Sequence, residues 1–296
     1  MMPQPDLILQ LDILLNKPAL CAVLAGIIGL LVGSFLNVVI YRLPIMMHRN
    51  WRKECLAHLE LAAEAEQEPF NLVLPLSRCP NCNAAIRPHQ NIPVISYIFL
   101  KGRCAHCRSP ISPRYPIIEA CTAIASAIVV WHFGYAPQAA FALLLTWSLI
   151  ALSFIDIDHH LLPDSITLPM LWLGLLLSVS DVFTDSHAGI IGAVAGYLAL
   201  WTVYHLFRLA TGKEGMGYGD FKLLALFGAW LGWQYLPVII LLSSLVGSVI
   251  GITMMVVAKR DHTIPIPFGP YLAAAGWIAL LWGNDINQFY LRSAGF

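Results

Sequence analysis

The sequence predicts an all-α polytopic membrane protein, with about eight transmembrane helices and one long polar insert. Three observations carry that prediction. Hydrophobic residues make up 58% of the 296 and charged residues 11%, and the mean hydropathy is +0.70. A soluble domain needs about a quarter of its residues charged to cover its surface. Apolar runs near span length recur along the chain, with Gly, Pro and Asp turn signals between several of them. Ten of the 17 Lys and Arg residues lie between Arg42 and Arg114. The positive-inside rule reads that cluster as a cytoplasmic loop, in preference to a nucleic-acid surface.

Residues 1–18 contain Asp6 and Asp12 and little basic charge, so they lack the basic n-region of a cleavable leader. The first span is placed at 19–40. A polar insert follows at 41–114, in which 51–68 reads as a separate amphipathic surface helix with Leu56, Leu59 and Ala63 on one stripe. The rest of the insert is rich in Pro, Asn and Cys and is expected to form loops and short strands around a metal. Further spans are expected at 116–133, 138–155, 165–180, 188–208, 221–235, 236–258 and 265–283. Gly134 with Pro137, Pro163 with Asp164, and the glycines of 212–219 separate several of them. The domain reading is therefore a first span at 1–40, an insert at 41–114 and a membrane core at 115–296. Alternation puts the loops near 156–164, 209–220 and 259–264 on the cytoplasmic face. Lys213, Lys259 and Arg260 fall in those loops, whereas the outer loops carry no Lys or Arg. No internal repeat is apparent.

Four of the seven cysteines, Cys79, Cys82, Cys104 and Cys107, form C-x2-C-x21-C-x2-C. Each pair offers two thiolates to one ion, and four complete the tetrahedral shell that zinc prefers. In a reducing cytoplasm such spacing favours metal over disulfide. A four-thiolate site is closed, so the zinc is structural, and His106 is a bystander. Cys21 and Cys121 sit in apolar runs as packing residues, and Cys55 stands alone in the insert.

Two aspartates stand where apolar spans end, Asp156 in FIDIDHHLLPD and Asp220 in GMGYGD. Ionisable groups at such positions are functional candidates. Two spans separate them, so both carboxylates return to one face. A close pair cannot both ionise cheaply; one keeps a proton and polarises a carbonyl while the other activates a water, the chemistry of an aspartic protease. On a helix Asp158 points about 200° away from Asp156. Asp164 follows Pro163 and reads as a helix N-cap. Asp158, His159 and His160 read as a solvated turn. Asp220 also stands where a helix cap would, and Gly215, Gly217 and Gly219 before it allow close backbone approach by an extended peptide. GMGYG lacks the preceding strand of a nucleotide-binding loop.

Together these segments resemble the bacterial type IV prepilin peptidases, the leader peptidase/N-methyltransferases of the GxGD aspartic protease type. GSFLNVVIYRLP (33–44), the cysteine run at 79–107, SPRYPIIEA (112–120), FIDIDHHLLPD (154–164) and GMGYGDFKLL (215–224) carry the resemblance across nearly the whole chain. It implies a multi-pass enzyme of the bacterial inner membrane serving type IV pili or type II secretion, with its active site facing the cytoplasm. Such enzymes cut the leader of prepilins and pseudopilins after glycine. They then methylate the new N-terminal residue with S-adenosylmethionine. The resemblance assigns the catalytic pair to Asp156 and Asp220 and associates the four cysteines with zinc. It implies prepilin and pseudopilin substrates and a membrane lipid setting, with no nucleic acid. No Rossmann-type glycine loop is present for the methyl donor, which leaves the insert and its membrane junctions, with Gly102 and Glu119 as candidates. Glu119 also stands about one turn from Arg114, where a structural ion pair would form. The competing reading is a transporter whose paired aspartates bind protons or a cation, but transporters favour repeated halves and midplane sites. A zinc-bearing docking module without chemistry would leave the aspartate pair unexplained.

Overall fold

A computed structural model describes residues 17–61, 69–257 and 266–293, and among these nine α-helices form. They are α1 (Pro18–His58), α2 (Ile95–Phe99), α3 (Arg114–Phe133), α4 (Pro137–His159), α5 (Asp164–Ser178), α6 (Ser186–Thr211), α7 (Tyr218–Leu231), α8 (Leu236–Val257) and α9 (Gly269–Ser293). Strand pairing among the described residues amounts to two isolated bridges, Arg78 with Ala85 and Arg103 with Pro110, in place of the short strands expected in the insert. Among the described residues five helical segments are long and apolar enough to cross a membrane: α1, α3, α4, α6 and Trp233–Val256. The protein is therefore a multi-pass membrane protein. Every expected span has a helix in the structure, but length and composition among the described residues do not confirm eight crossings.

The first compact unit covers residues 1–143. In it α1 and α3 pack through small residues at every fourth position, Ala25, Gly29 and Gly33 on α1. A methyl group on Gly29 would lie 2.6 Å from Ser126 Oγ and 2.8 Å from the Cα of Ala123. Such close backbone approach lets dispersion and hydrogen bonding, not water exclusion, hold helices together in lipid. The Thr122 and Ser126 hydroxyls at this contact donate to the carbonyls of Ile118 and Thr122, each at 2.7 Å, so they bring no unpaired polar atom. The opposite face of α1 presents Val23, Ile27 and Leu31, which are more than half exposed and suited to lipid.

The first span does not stop at residue 40. Helix α1 continues through Pro44 to His58, so residues 51–58 extend this helix instead of forming a separate one. Ala63 and the rest of 62–68 lie outside the described residues. The extension is anchored from the side: Arg42, buried, donates to the carbonyls of Asn71 at 2.9 Å and Pro75 at 2.6 Å. Arg42 and Arg49 both lie over the Phe70 ring. These contacts offset the hydrogen bond that Pro44 removes.

The second unit covers residues 144–296 and is built around α7. Every α7 residue from Asp220 to Leu231 is buried except Lys222. Helices α5, α6 and α9 surround it. Gly192 of α6 and Gly228 of α7 touch backbone to backbone, with no room for a methyl group on either. The Trp230 indole N–H donates to the Met170 carbonyl at 2.7 Å, locking α7 to α5. Gly232, at φ +89, then ends the helix before residue 235, where the expected span would have run. A helix of 14 residues, about 21 Å long, suits a protein interior better than a crossing.

Candidate active site and metal cluster

The two sequence-predicted aspartates meet in the second unit. Asp156 lies in the last turn of α4 and Asp220 in the first turn of α7, and both are buried. They are close enough for the charge on Asp156 to act on Asp220. Asp156 Oδ2 accepts a hydrogen bond from the backbone N–H of Gly269, the first residue of α9, at 3.0 Å. Asp220 Oδ1 is buried with no hydrogen-bond partner. Buried carboxylate oxygens are normally satisfied, so an unpaired one marks a position held ready for another molecule. Leu162 bounds the site. A methyl group on Gly219 would lie 2.8 Å from Leu162 Cβ, and one on Gly269 would lie 3.2 Å from Leu162 Cδ2.

Both capping expectations are adjusted. The N-cap of α7 is Gly217, and Asp220, three residues on, takes a backbone hydrogen bond from Gly217 on its carboxylate. The N-cap of α5 is Pro163, so Asp164 is already helical. Its carboxylate instead receives both hydrogen bonds of an ion pair with Lys222 Nζ, each at 2.7 Å. The α7 lysine competes successfully for it because a charged donor outweighs a neutral backbone N–H. Asp158, His159 and His160 are exposed, and no metal cluster forms around them among the described residues.

In the first unit Cys79, Cys82, Cys104 and Cys107 converge. Their sulfur atoms all lie within 4.8 Å of one another, with Cys79 and Cys107 at 3.8 Å. Tetrahedral zinc with bonds of ~2.3 Å requires sulfurs about 3.8 Å apart, so the donor set fits that ion. The four are free thiols, not disulfides. Two matching loops, offset by 25 residues (104 − 79), bring them together. In the first, Cys79 N–H donates to Ala84 and Asn83 N–H to Cys79; in the second, Cys104 N–H donates to Ser109 and Arg108 N–H to Cys104. Asn83 and Arg108 both take positive φ, at 55° and 59°. The chain thus holds a local structural repeat where none was expected, visible in sequence as the paired C-x2-C units. The Ser109 hydroxyl, 3.0 Å away, and then its backbone N–H hold the Cys107 thiol down to about 6, favouring the thiolate that binds metal. His106 contributes its backbone N–H to Cys104 Sγ at 3.5 Å and is absent from the cluster.

Elsewhere in that unit Glu119, buried on α3, accepts from the N–H of Val94 at 2.7 Å. Val94 has φ 58, a backbone state that a β-branched residue rarely adopts. Gly102, at φ +65, turns the chain where a methyl group would meet the Tyr97 hydroxyl at 3.0 Å.

Sequence reasoning missed Leu162 and Gly269. Both lie in readable motifs, HHLLPD and PFGP, but Gly269 meets Asp156 across 113 residues of chain, and no local pattern reports such a contact. The small residues of α1 did carry a signal, a small-xxx-small repeat at Ala25, Gly29 and Gly33.

Residues 27–133 match the family described as Bacterial Peptidase A24 N-terminal domain. Residues 143–252 match the Type IV leader peptidase family. Curated proteins named prepilin leader peptidase/N-methyltransferase are similar throughout. That of Stutzerimonas stutzeri is 56% identical over 96% of this chain and 98% of its own length. That of Pseudomonas aeruginosa is 55% identical over 97% of this chain and 99% of its own. The Legionella pneumophila protein is 45% identical over 94% and 97%. No solved structure matches the chain.

Proposed function

This chain belongs to the type IV leader peptidase family, and from that premise we propose that Asp156 and Asp220 are the catalytic pair with which it removes prepilin leaders. The observation that supports this most is two buried carboxylates from distant helices, the charge of Asp156 reaching Asp220, which keeps one oxygen unpaired. Two carboxyl groups so placed share one proton. The protonated member donates to the scissile carbonyl oxygen, and the ionised member accepts a proton from water as the water attacks the carbon. Collapse of the tetrahedral intermediate returns a proton to the leaving amine, which becomes the new N-terminus. Substrates are prepilins and pseudopilins cut after glycine. The site faces the cytoplasm from the bacterial inner membrane, in a lipid setting. The exposed glycines at 215 and 217 give an extended peptide close access to the chain just before Asp220.

The same protein then N-methylates the product, with S-adenosylmethionine supplying the methyl group. We place that activity in the 41–114 insert and its junction with α3, with Gly102 and Glu119 as candidate contributors. No strand–glycine turn–helix cradle forms among the described residues, so the donor is held by a different arrangement. Zinc, held by Cys79, Cys82, Cys104 and Cys107, is structural: four thiolates leave no open coordination position. A transporter reading is not favoured by relatives that carry peptidase and methyltransferase names.

The test incubates purified protein with a prepilin and labelled S-adenosylmethionine. Asp156→Asn and Asp220→Asn should each abolish cleavage yet still methylate pilin supplied already cut. Substantial cleavage by either variant defeats the assignment.

A further inference from the structure

We infer that Gly269 is a positioning residue for leader cleavage: its backbone N–H and its missing side chain together set the Asp156 carboxylate in place. The inference rests on the catalytic reading of Asp156 above. Gly269 opens the 25-residue helix α9. The first four N–H groups of a helix have no partner within it. That of Gly269 is spent on Asp156 Oδ2, at 3.0 Å and fully buried. One carboxylate oxygen is thereby fixed, and Oδ1 is left to meet the water. The bond costs nothing to reorganise during reaction, since it is made by rigid backbone at a helix end.

The absent side chain matters as much as the donor. A Cβ at position 269 would lie 2.7 Å from Asp156 Oδ2 and 3.2 Å from its Cγ, with Leu162 Cδ2 also at 3.2 Å. Ordinary contact begins near 3.4 Å, so the carboxylate or the start of α9 would have to give by about 0.7 Å (3.4 − 2.7). The Leu162 side chain blocks retreat on that side, and the carboxylate is the less confined group. Gly269 has no positive φ among the glycines that do, so room for the carboxylate, not backbone conformation, is what excludes a side chain here.

The test compares Gly269→Ala with Gly251→Ala, whose added carbon meets the end of Ile266 alone, at 3.2 Å. Gly269→Ala should lower kcat for prepilin cleavage by about 10- to 100-fold. KM for the prepilin and methylation of pre-cut pilin should stay at wild-type values. Gly251→Ala should match wild type in all three. Wild-type kcat in Gly269→Ala overturns the inference, as does a rise in KM with kcat unchanged. Loss of both activities also overturns it, because the damage would then extend beyond the aspartate. Failure of the catalytic reading itself shows separately, as cleavage by Asp156→Asn.

Discussion

Helix α7 carries Asp220, and its seat against α6 is open to a quantitative test. Gly196 of α6 packs on the α7 backbone one turn beyond that aspartate. A methyl group there would lie 2.7 Å from the Leu224 carbonyl oxygen, 2.9 Å from its carbon and 3.1 Å from the Ala225 Cα. All three are backbone atoms, so no side-chain rotation relieves the clash. Reaching ordinary contact at 3.4 Å requires the helices to part by about 0.7 Å (3.4 − 2.7). Gly196→Ala gains about 1 kcal/mol of helix propensity but loses about 1–3 kcal/mol to overpacking. The net cost is up to about 2 kcal/mol. A displacement approaching 1 Å at a reacting group costs on the order of 100-fold in rate, so kcat should fall at least about tenfold. Gly26→Ala is the control, since its nearest neighbours would lie at 3.6 and 3.8 Å; it should be neutral or slightly stabilised. The assay pairs thermal unfolding of the purified protein with the rate of prepilin cleavage. A Gly196→Ala variant with unchanged midpoint and wild-type rate would refute the argument that the α6–α7 contact sets the position of Asp220.

Two further outcomes separate the roles of neighbouring groups. Asp164→Asn should retain cleavage within a fewfold of wild type and lose no more than about 1 kcal/mol, because its carboxylate is half-exposed and engaged by Lys222; loss of cleavage equal to that of Asp156→Asn would contradict this. Replacing Cys79 or Cys104 by Ser should lower bound zinc, measured as metal content of purified protein, and unchanged content would remove the metal assignment. Protons compete with zinc for thiolates. Zinc content should therefore hold at neutral pH and fall as the solution is made acidic.

The sequence made the helices legible where lipid or protein demands long apolar runs, and it made the four thiols legible because ligand spacing is local. It was silent where the structure depends on what lies across from a residue. Arg42 and Pro44 look like the end of a span, yet the carbonyls of Asn71 and Pro75 receive the arginine and α1 runs on to His58. Asp164 looks like a cap, yet Lys222, 58 residues later, supplies the stronger partner. Gly269 has no local signature for its bond to Asp156. In each case the deciding partner is distant in the chain.

The same logic explains why an apolar run does not by itself report a crossing. Asp220 has a buried oxygen without a partner, and such an atom in hydrocarbon costs several kcal/mol. It is tolerable where protein walls it off and a substrate or water can reach it. The helix that carries it is accordingly enclosed by α5, α6 and α9, with Phe221, Leu223, Leu224, Leu226 and Phe227 all at 0% exposure. A helix enclosed on every side is apolar on every side, so its sequence is indistinguishable from one facing lipid. At 14 residues α7 reaches about 21 Å against roughly 30 Å of hydrocarbon. The property that makes α7 read as a span is therefore the enclosure that lets an unsatisfied acid stand at its start.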